Sequence, residues 1–344
     1  MARASTGSRA NEERETSKRI GALAALWPFV RPYRVMMGFA IVALVATATV
    51  SLVLPLAVRK VVDNFNADES NLLDQYFAMA IVVVALLAFG TGMRYALVTR
   101  LGERVVTDIR KAVFGRVINM SPAFYDNILT GEVLSRITTD TTLILSVIGA
   151  SVSIALRNML IFAGGLTMLL LTSVKLTGLL LLIVPIVALP VLTLGRRLRV
   201  LSRENQDFIA ASSGNASEVL SALQTVQAFT HETASRQAFD QVTEKSFEVA
   251  AQRINTRVLM TMIVIYMIFS GVVGVLWIGV YDIRSNAISA GELAQFVIYA
   301  ILVAGSASAL SEIWGELQRA AGATERLVEL LQAQDSVTEP KNPV

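Results

Sequence analysis

The chain contains no cysteine and a single histidine, and charged residues account for only 17% of its 344 positions. The lack of cysteine excludes disulfide bonds, thiolate metal sites and cysteine nucleophiles. Soluble domains usually carry about a quarter charged residues. This shortage of charge, together with 54% hydrophobic residues, therefore places the chain in a membrane. The formal net charge of +3 is too small to indicate nucleic acid as a partner.

Six long segments carry no charge or one charge, and about 20 apolar residues are needed to cross the hydrocarbon as a helix. We therefore predict an all-α membrane protein with six transmembrane helices, at about residues 35–58, 75–93, 141–174, 176–195, 258–281 and 293–311. Arg157 divides the third segment. We expect this helix to cross mainly between Asn158 and Val174, with Arg157 near a membrane face.

Lysine and arginine are concentrated on one side of these spans. Of the 30 basic residues, only Arg59, Lys60, Lys175 and Arg284 lie on the other side. Basic residues favour the cytoplasmic face, so both termini and the long loops at 94–140 and 196–257 are predicted to be cytoplasmic. Residues 1–19 are polar and predicted to be disordered. Residues 20–34 predict an interfacial elbow helix, with an early start of the first span as the alternative.

The two long loops have helical periodicity. Apolar residues recur at every fourth position of the first loop, at Leu97, Leu101, Val105, Ile109, Val113 and Val117. This pattern indicates membrane helices that continue roughly 30–45 Å beyond the lipid as hairpins.

Each hairpin needs a turn at its far end. Ser121-Pro122 predicts a short helix over Ser121–Asp126, and Thr130-Gly131 predicts a break before a helix that begins near Glu132. Small residues from Ala210 to Ser217 occupy the middle of the second loop. Ordinary solvated turns are the alternative at both places.

Several motifs of these loops recur in one class of transporter. They are Phe124-Tyr125-Asp126, Thr130-Gly131-Glu132 and Ser135-Arg136 with Asp140, then "EVLSALQTVQAFTHE" from Glu218, "GELAQFVIYA" at 291–300 and "AAGATERLVELL" at 320–331. Over about residues 20–332 the chain resembles the transmembrane domain of ATP-binding cassette (ABC) exporters with the type IV fold. The resemblance implies a transmembrane domain over 35–330 and a linker at 331–344.

The resemblance also implies site residues. Coupling to a nucleotide-binding domain is expected at Ser121, Pro122, Phe124, Tyr125, Asp126, Ser212, Ser213, Gly214 and Asn215. Structural roles in the intracellular loops are expected for Gly131, Glu132, Ser135, Arg136, Asp140 and Glu218. Candidates for a translocation cavity are Arg157, Asn158, Gln295, Tyr299 and Ser306. Snorkelling to the interface is the alternative for Arg157, and interhelical hydrogen bonding is the alternative for the last three residues.

No phosphate-binding loop of the form G-x-x-x-x-G-K-[ST] is present. ATP and Mg are therefore expected on a nucleotide-binding domain outside this sequence, whether the natural chain is longer or the ATPase is a separate subunit. The sequence predicts no catalytic residue and no metal site, since His231 stands alone and the spans hold no acid pair.

The spans also lack the intramembrane carboxylate that ion-coupled carriers need. The resemblance implies a dimer, made with a second copy or a related half-transporter, in a bacterial-type inner (plasma) membrane. Such a dimer exports hydrophobic or amphipathic substrates, lipid or drug-like, by alternating access. A passive channel, or another ATP-independent six-helix transport protein, is the alternative.

Overall fold

The computed structural model describes residues 20–63 and 70–333, all of them in helices or in short connections between helices. The predicted disordered tail at 1–19 and the linker from residue 334 onward lie outside the described residues. The helices are α1 (Trp27–Val30), α2 (Arg34–Asp63), α3 (Ser70–Val117), α4 (Pro122–Asn127), α5 (Thr130–Ser135), α6 (Thr141–Ser146), α7 (Val152–Thr172), α8 (Val174–Ser221), α9 (Leu223–Ala228), α10 (Glu232–Arg284) and α11 (Ala290–Gln332).

Four further helical segments lie before or between these helices. The 3₁₀ segments Ile20–Leu26 and Arg31–Tyr33 flank α1. The π-helical turns Arg136–Asp140 and Val147–Ser151 join α5, α6 and α7 into one rod that runs from Thr130 to Thr172. Leu331 and Gln332, which were predicted to belong to a linker, still belong to α11.

The described residues contain six helical segments long and apolar enough to cross a membrane, which confirms the six predicted spans. They are Gly21–Asp63, Gln75–Val117, Thr130–Thr172, Val174–Ser221, Glu232–Arg284 and Ala290–Gln332. The predicted continuation of spans into the loops is also present, because α3, α8 and α10 run unbroken far beyond their apolar cores. The described residues form two compact units: 20–63 and 70–172 with 289–333, and 173–288.

The first unit has a hydrophobic core that is formed largely by the first long loop. The predicted apolar stripe of α3 is buried there from Leu101 to Val117, with Val105, Ile109 and Val113 at most 1% exposed, whereas Leu97 is only partly buried. Ile144 of α6 and Leu327 of α11 complete this core. Burial of one apolar stripe per helix is what positions these elements against each other.

The elbow segment at 20–34 packs against the same core. Leu26 is buried, and Leu23, Phe29 and Tyr33 contact the cluster from outside. The Tyr33 hydroxyl donates to a carboxylate oxygen of Asp108 on α3 at 2.5 Å. The segment is therefore anchored by its own chain, and a position in the membrane interface stays a prediction.

The rod from Thr130 to Thr172 crosses α3 very closely. A Cβ atom placed on Gly102 would lie 2.7 Å from the Gly149 Cα. Glycine is required at position 102 because no side chain fits there between the backbones, whereas a Cβ on Gly149 would meet no atom closer than 3.6 Å. Gly149 lies in the second π-helical turn of the rod.

The second unit is a long antiparallel hairpin of α8 and α10. An ion pair joins the start of α8 to the end of α10, with Lys175 Nζ 2.6 Å from Asp282 Oδ1. Along the hairpin, Leu201 and Val249 are buried, and Ile183 fills the space that a Cβ on Gly271 would need.

Candidate functional site

The turn of the first long loop contains the predicted short helix. Ser121 has an extended backbone and Pro122 is the first residue of α4, as the Ser-Pro signal predicts. The following break differs from the prediction. Ile128 and Leu129 are the extended residues, and α5 begins at Thr130 rather than near Glu132. The hydrogen bonds of α5 start at the Leu129 carbonyl, which sets this earlier boundary.

The aromatic pair of α4 packs partly against its own chain. The rings of Phe124 and Tyr125 stack edge to face with centroids 5.3 Å apart, and both contact the core of the first unit. The Tyr125 hydroxyl donates to the Val117 carbonyl at 2.9 Å. These contacts hold α4 against the end of α3, so the two predicted anchors also stabilise the turn itself.

Sequence reasoning missed the most exposed apolar residues of this turn. Leu129 is 78% exposed, Ile118 62% and Leu134 61%. Ile118 follows directly after the buried stripe of α3, and Leu129 directly precedes α5, so neither belongs to a periodic pattern. An isolated leucine beside a helix start was the one available signal. We call residues 118–135 the first tip.

Polar residues at the end of the first tip and directly after it form a network with α11. Arg136 is buried and donates to Glu132 Oε1 at 2.5 Å and to the Arg326 carbonyl at 3.1 Å. Its Nη1 also lies 3.4 Å from Glu329 Oε2. Buried guanidinium groups need several acceptors, and here α5 and α11 supply them together.

Asp140 is the second centre of this network. Its buried carboxylate accepts two hydrogen bonds from Arg326, at 2.8 Å from Nε and 2.6 Å from Nη2. Such a bidentate pair is strong and directional. Arg136 and Asp140 thus join the rod Thr130–Thr172 to α11, and the structural roles expected for them and for Glu132 stay a prediction. Arg326 was missed as their partner.

Gly131 and Ser135 do not join this network. Both are exposed, and a Cβ on Gly131 would meet nothing within 4 Å.

The turn of the second loop lies elsewhere than predicted. Ser212, Ser213, Gly214 and Asn215 were expected at the turn, but they lie inside the unbroken helix α8. Alanine and serine are compatible with a helix, and one internal glycine costs only about 1 kcal/mol. The small residues therefore do not end the helix. Glu218 is exposed near its end.

The break occurs at Ala222, and α9 follows it. At the end of α9, Thr230 adopts φ 51 and the amide of His231 donates to the Val226 carbonyl at 2.9 Å. The Thr230 amide donates to the Gln227 carbonyl at 3.1 Å. This is the Schellman pattern, with threonine in a position that glycine usually fills. We call residues 220–232 the second tip.

The second tip also exposes apolar residues. Phe229 is 76% exposed, Leu220 68% and Leu223 42%. His231, the single histidine of the sequence, is exposed as well. Each tip thus combines a short helix between two long helices with large apolar side chains that no other described residue covers.

Three of the cavity candidates lie in the interior of the first unit. Gln295, Tyr299 and Ser306 are at most 3% exposed. Gln295 donates to the Thr172 hydroxyl at 3.0 Å and the Tyr299 hydroxyl donates to the Leu52 carbonyl at 2.6 Å. For Gln295 and Tyr299 these contacts are the interhelical hydrogen bonds of the alternative interpretation.

Arg157 and Asn158 behave differently from each other. Asn158 donates to the Ile154 carbonyl of its own helix at 2.9 Å. Arg157 reaches across to α2, where its Nη2 lies 3.4 Å from the Ser51 hydroxyl oxygen. The Arg157 side chain is thus directed to a neighbouring helix of the first unit.

The six membrane-spanning helices define a multi-pass α-helical membrane protein. The chain matches the ABC transporter transmembrane region over residues 37–306, and it therefore belongs to that family. The fold class and the resemblance inferred from the loop motifs are confirmed by this match.

Named relatives are similar over nearly the whole chain. A Rickettsia conorii protein, named as an export ATP-binding/permease protein, is 24% identical over 313 residues, which are 91% of this chain and 54% of that protein. ABC transporter B family member 1 of Dictyostelium discoideum is 26% identical over 325 residues, 93% of this chain and 36% of that protein. The mitochondrial potassium channel ATP-binding subunit of Pongo abelii is 29% identical over 316 residues, 89% of this chain and 44% of that protein. The chain thus spans about half the length of the Rickettsia relative.

Proposed function

We propose that the chain is the transmembrane half of an ATP-driven exporter that moves hydrophobic or amphipathic molecules by alternating access. Its membership of the ABC transporter transmembrane region supports the class. The observation that carries the proposal is the form of the two tips. Each presents exposed apolar residues, Leu129 in the first and Phe229 in the second, at the far end of long helices.

The tips are the docking sites for a nucleotide-binding domain that holds ATP and Mg. An exposed apolar side chain on a rigid support is the usual anchor of a protein contact. The ion pair of Asp140 and Arg326 joins the rod Thr130–Thr172, which begins in the first tip, to α11, so a displacement of the tip moves the rod and α11 together. Rigid-body motion of this kind reorients packed helices between discrete states.

A second copy or a related half-transporter completes the membrane pathway. Both termini lie on the cytoplasmic side of a bacterial-type inner membrane. The basic residues on the loop side support this orientation. The cargo class rests on the apolar character of the spans, which suits a molecule taken from the lipid.

The test uses the natural transporter that contains this chain together with its ATPase, reconstituted in vesicles. Leu129→Ser and Phe229→Ser replace exposed residues, so folding is unaffected. We expect ATP hydrolysis to persist while ATP-dependent export of a lipid-like fluorescent probe falls at least about tenfold. Phe247→Ser is the matched control, since Phe247 of α10 is also 65% exposed.

Two results would contradict the proposal. Unchanged export in both tip variants would mean that the tips are ordinary solvated turns. Robust ion currents from the chain in the absence of ATP would instead support the passive channel.

A further inference from the structure

A polar cluster lies where three helices of the first unit meet. Arg94 of α3 is 8% exposed, and its Nη1 donates to the Ser153 hydroxyl of α7 at 2.8 Å. One turn further along α7, Arg157 donates to the Ser51 hydroxyl of α2 at 3.4 Å. Thr47, one turn before Ser51, lies against α3 at Gly90, one turn before Arg94. We call these residues the arginine cluster.

The arginine cluster has two positive charges and no negative one. Ser153, which accepts from Arg94, lies one turn before Arg157 on α7, so the two basic side chains are neighbours. No ion pair joins either of them to a carboxylate within residues 20–63 and 70–333. Burial of an uncompensated charge is costly, and basic side chains inside membrane helices usually face a partner or a ligand.

The cluster also has more hydrogen-bond donors than acceptors. Each guanidinium carries five N–H donors and no acceptor. The Nε atoms of Arg94 and Arg157 are both buried without an acceptor in the described part of the chain. The Ser51 hydroxyl already donates to the Thr47 carbonyl at 2.8 Å, which leaves its lone pairs facing Arg157. The two guanidinium groups therefore lack hydrogen-bond acceptors, and negatively charged oxygen atoms would supply both the acceptors and the missing charge.

We propose that the arginine cluster binds an oxyanion, such as a phosphate, sulfate or carboxylate group, between Arg94 and Arg157. Two guanidinium groups favour an anion with several oxygens, because each can donate two parallel hydrogen bonds. Binding of the anion does not depend on transport activity.

The depth of the cluster suggests what carries the anion. Arg94 directly follows the uncharged segment 75–93, and Arg157 directly precedes the apolar segment from Asn158. Ser51, which Arg157 contacts, lies 16 positions into the apolar segment 35–58, about 24 Å from its loop-side end, so the cluster lies within the hydrocarbon and among apolar helix surfaces. Resting on the proposed function, this makes the cargo an anionic amphiphile, with its headgroup on the arginines and its tail among the spans.

The test is a thermal-unfolding titration of the purified chain in a neutral maltoside detergent. Decyl phosphate is the amphiphilic anion, inorganic phosphate the free anion and decyl maltoside the neutral amphiphile. We expect decyl phosphate to raise the unfolding temperature of the wild type in a saturable way. In Arg94→Gln and Arg157→Gln we expect its apparent affinity to fall roughly tenfold to hundredfold, the usual effect of losing hydrogen bonds to a charged group.

Matched variants separate binding from folding. Arg100→Gln removes an exposed arginine from the same helix as Arg94 and should leave the titration unchanged. Arg157→Glu supplies an internal counter-charge to Arg94, so it should raise the unfolding temperature without ligand and abolish the response to decyl phosphate. Arg94→Lys and Arg157→Lys keep the charges if the glutamine variants fail to fold, and they should weaken binding to an intermediate extent.

An arginine-dependent response to decyl phosphate alone assigns the anion to an amphiphile, whereas an equal response to inorganic phosphate assigns it to a free ion. Both results support the oxyanion site. No response in the wild type, or the same response in the glutamine variants, overturns it. The readout involves no transport, so anion binding by a chain that exports nothing would refute only the proposed export.

Discussion

Replacing Arg326 by glutamine removes the guanidinium that holds both oxygens of the Asp140 carboxylate. The Asp140 side chain is 8% exposed and the Arg326 side chain 44% exposed. Loss of one partner from a fully buried ion pair costs about 3–5 kcal/mol, whereas an exposed pair contributes about 0–1 kcal/mol. Because the acid is buried and the base half-exposed, we expect the free energy of unfolding to fall by about 2–3 kcal/mol.

The measurement is reversible unfolding of the purified chain in mixed micelles, with increasing denaturing detergent. Arg319→Gln is the control, because Arg319 is an exposed arginine of α11 two turns earlier, and it should change stability by less than about 0.5 kcal/mol. The double variant with Asp140→Asn removes both partners. It should lose clearly less than the sum of the two single changes.

A loss in Arg326→Gln no larger than that in Arg319→Gln would refute the reasoning. It would mean that water accepts and donates the hydrogen bonds of the Asp140 carboxyl group equally well. The ion pair would then contribute nothing to the attachment of the rod Thr130–Thr172 to α11.

Two further predictions concern the backbone. Gly102→Ala places a methyl group 2.7 Å from the Gly149 Cα and should destabilise the chain by about 1–3 kcal/mol in the same unfolding assay. Gly115→Ala on the same helix meets nothing within 4 Å and should stabilise it by about 0.5–1 kcal/mol; equal effects would contradict the close crossing. Thr230→Gly relieves a left-handed conformation, φ 51, and should stabilise the second tip by up to about 1 kcal/mol. A slower rate of proteolytic cleavage there checks this prediction, and faster cleavage would argue against it.

The candidate site could be predicted only in part, and the two tips illustrate the difference. The first tip follows from a local signal, since Pro122 suits the first position of a helix and the residue before a proline favours extended backbone. The second tip has no such signal. Its turn depends on Thr230 in a conformation that glycine usually adopts, while the small residues at 212–215 continue the helix.

By itself, the sequence determined the six spans, the buried stripe of α3 and the family of the chain. Hydropathy and helical periodicity depend on neighbouring residues, so they are visible without the fold. The tertiary structure alone decided the partners of the charged groups. Asp140 and Arg326 are 186 positions apart, and Arg94 and Arg157 belong to different helices. Their approach results from how the helices pack, and that packing is set by the shapes of many distant side chains together.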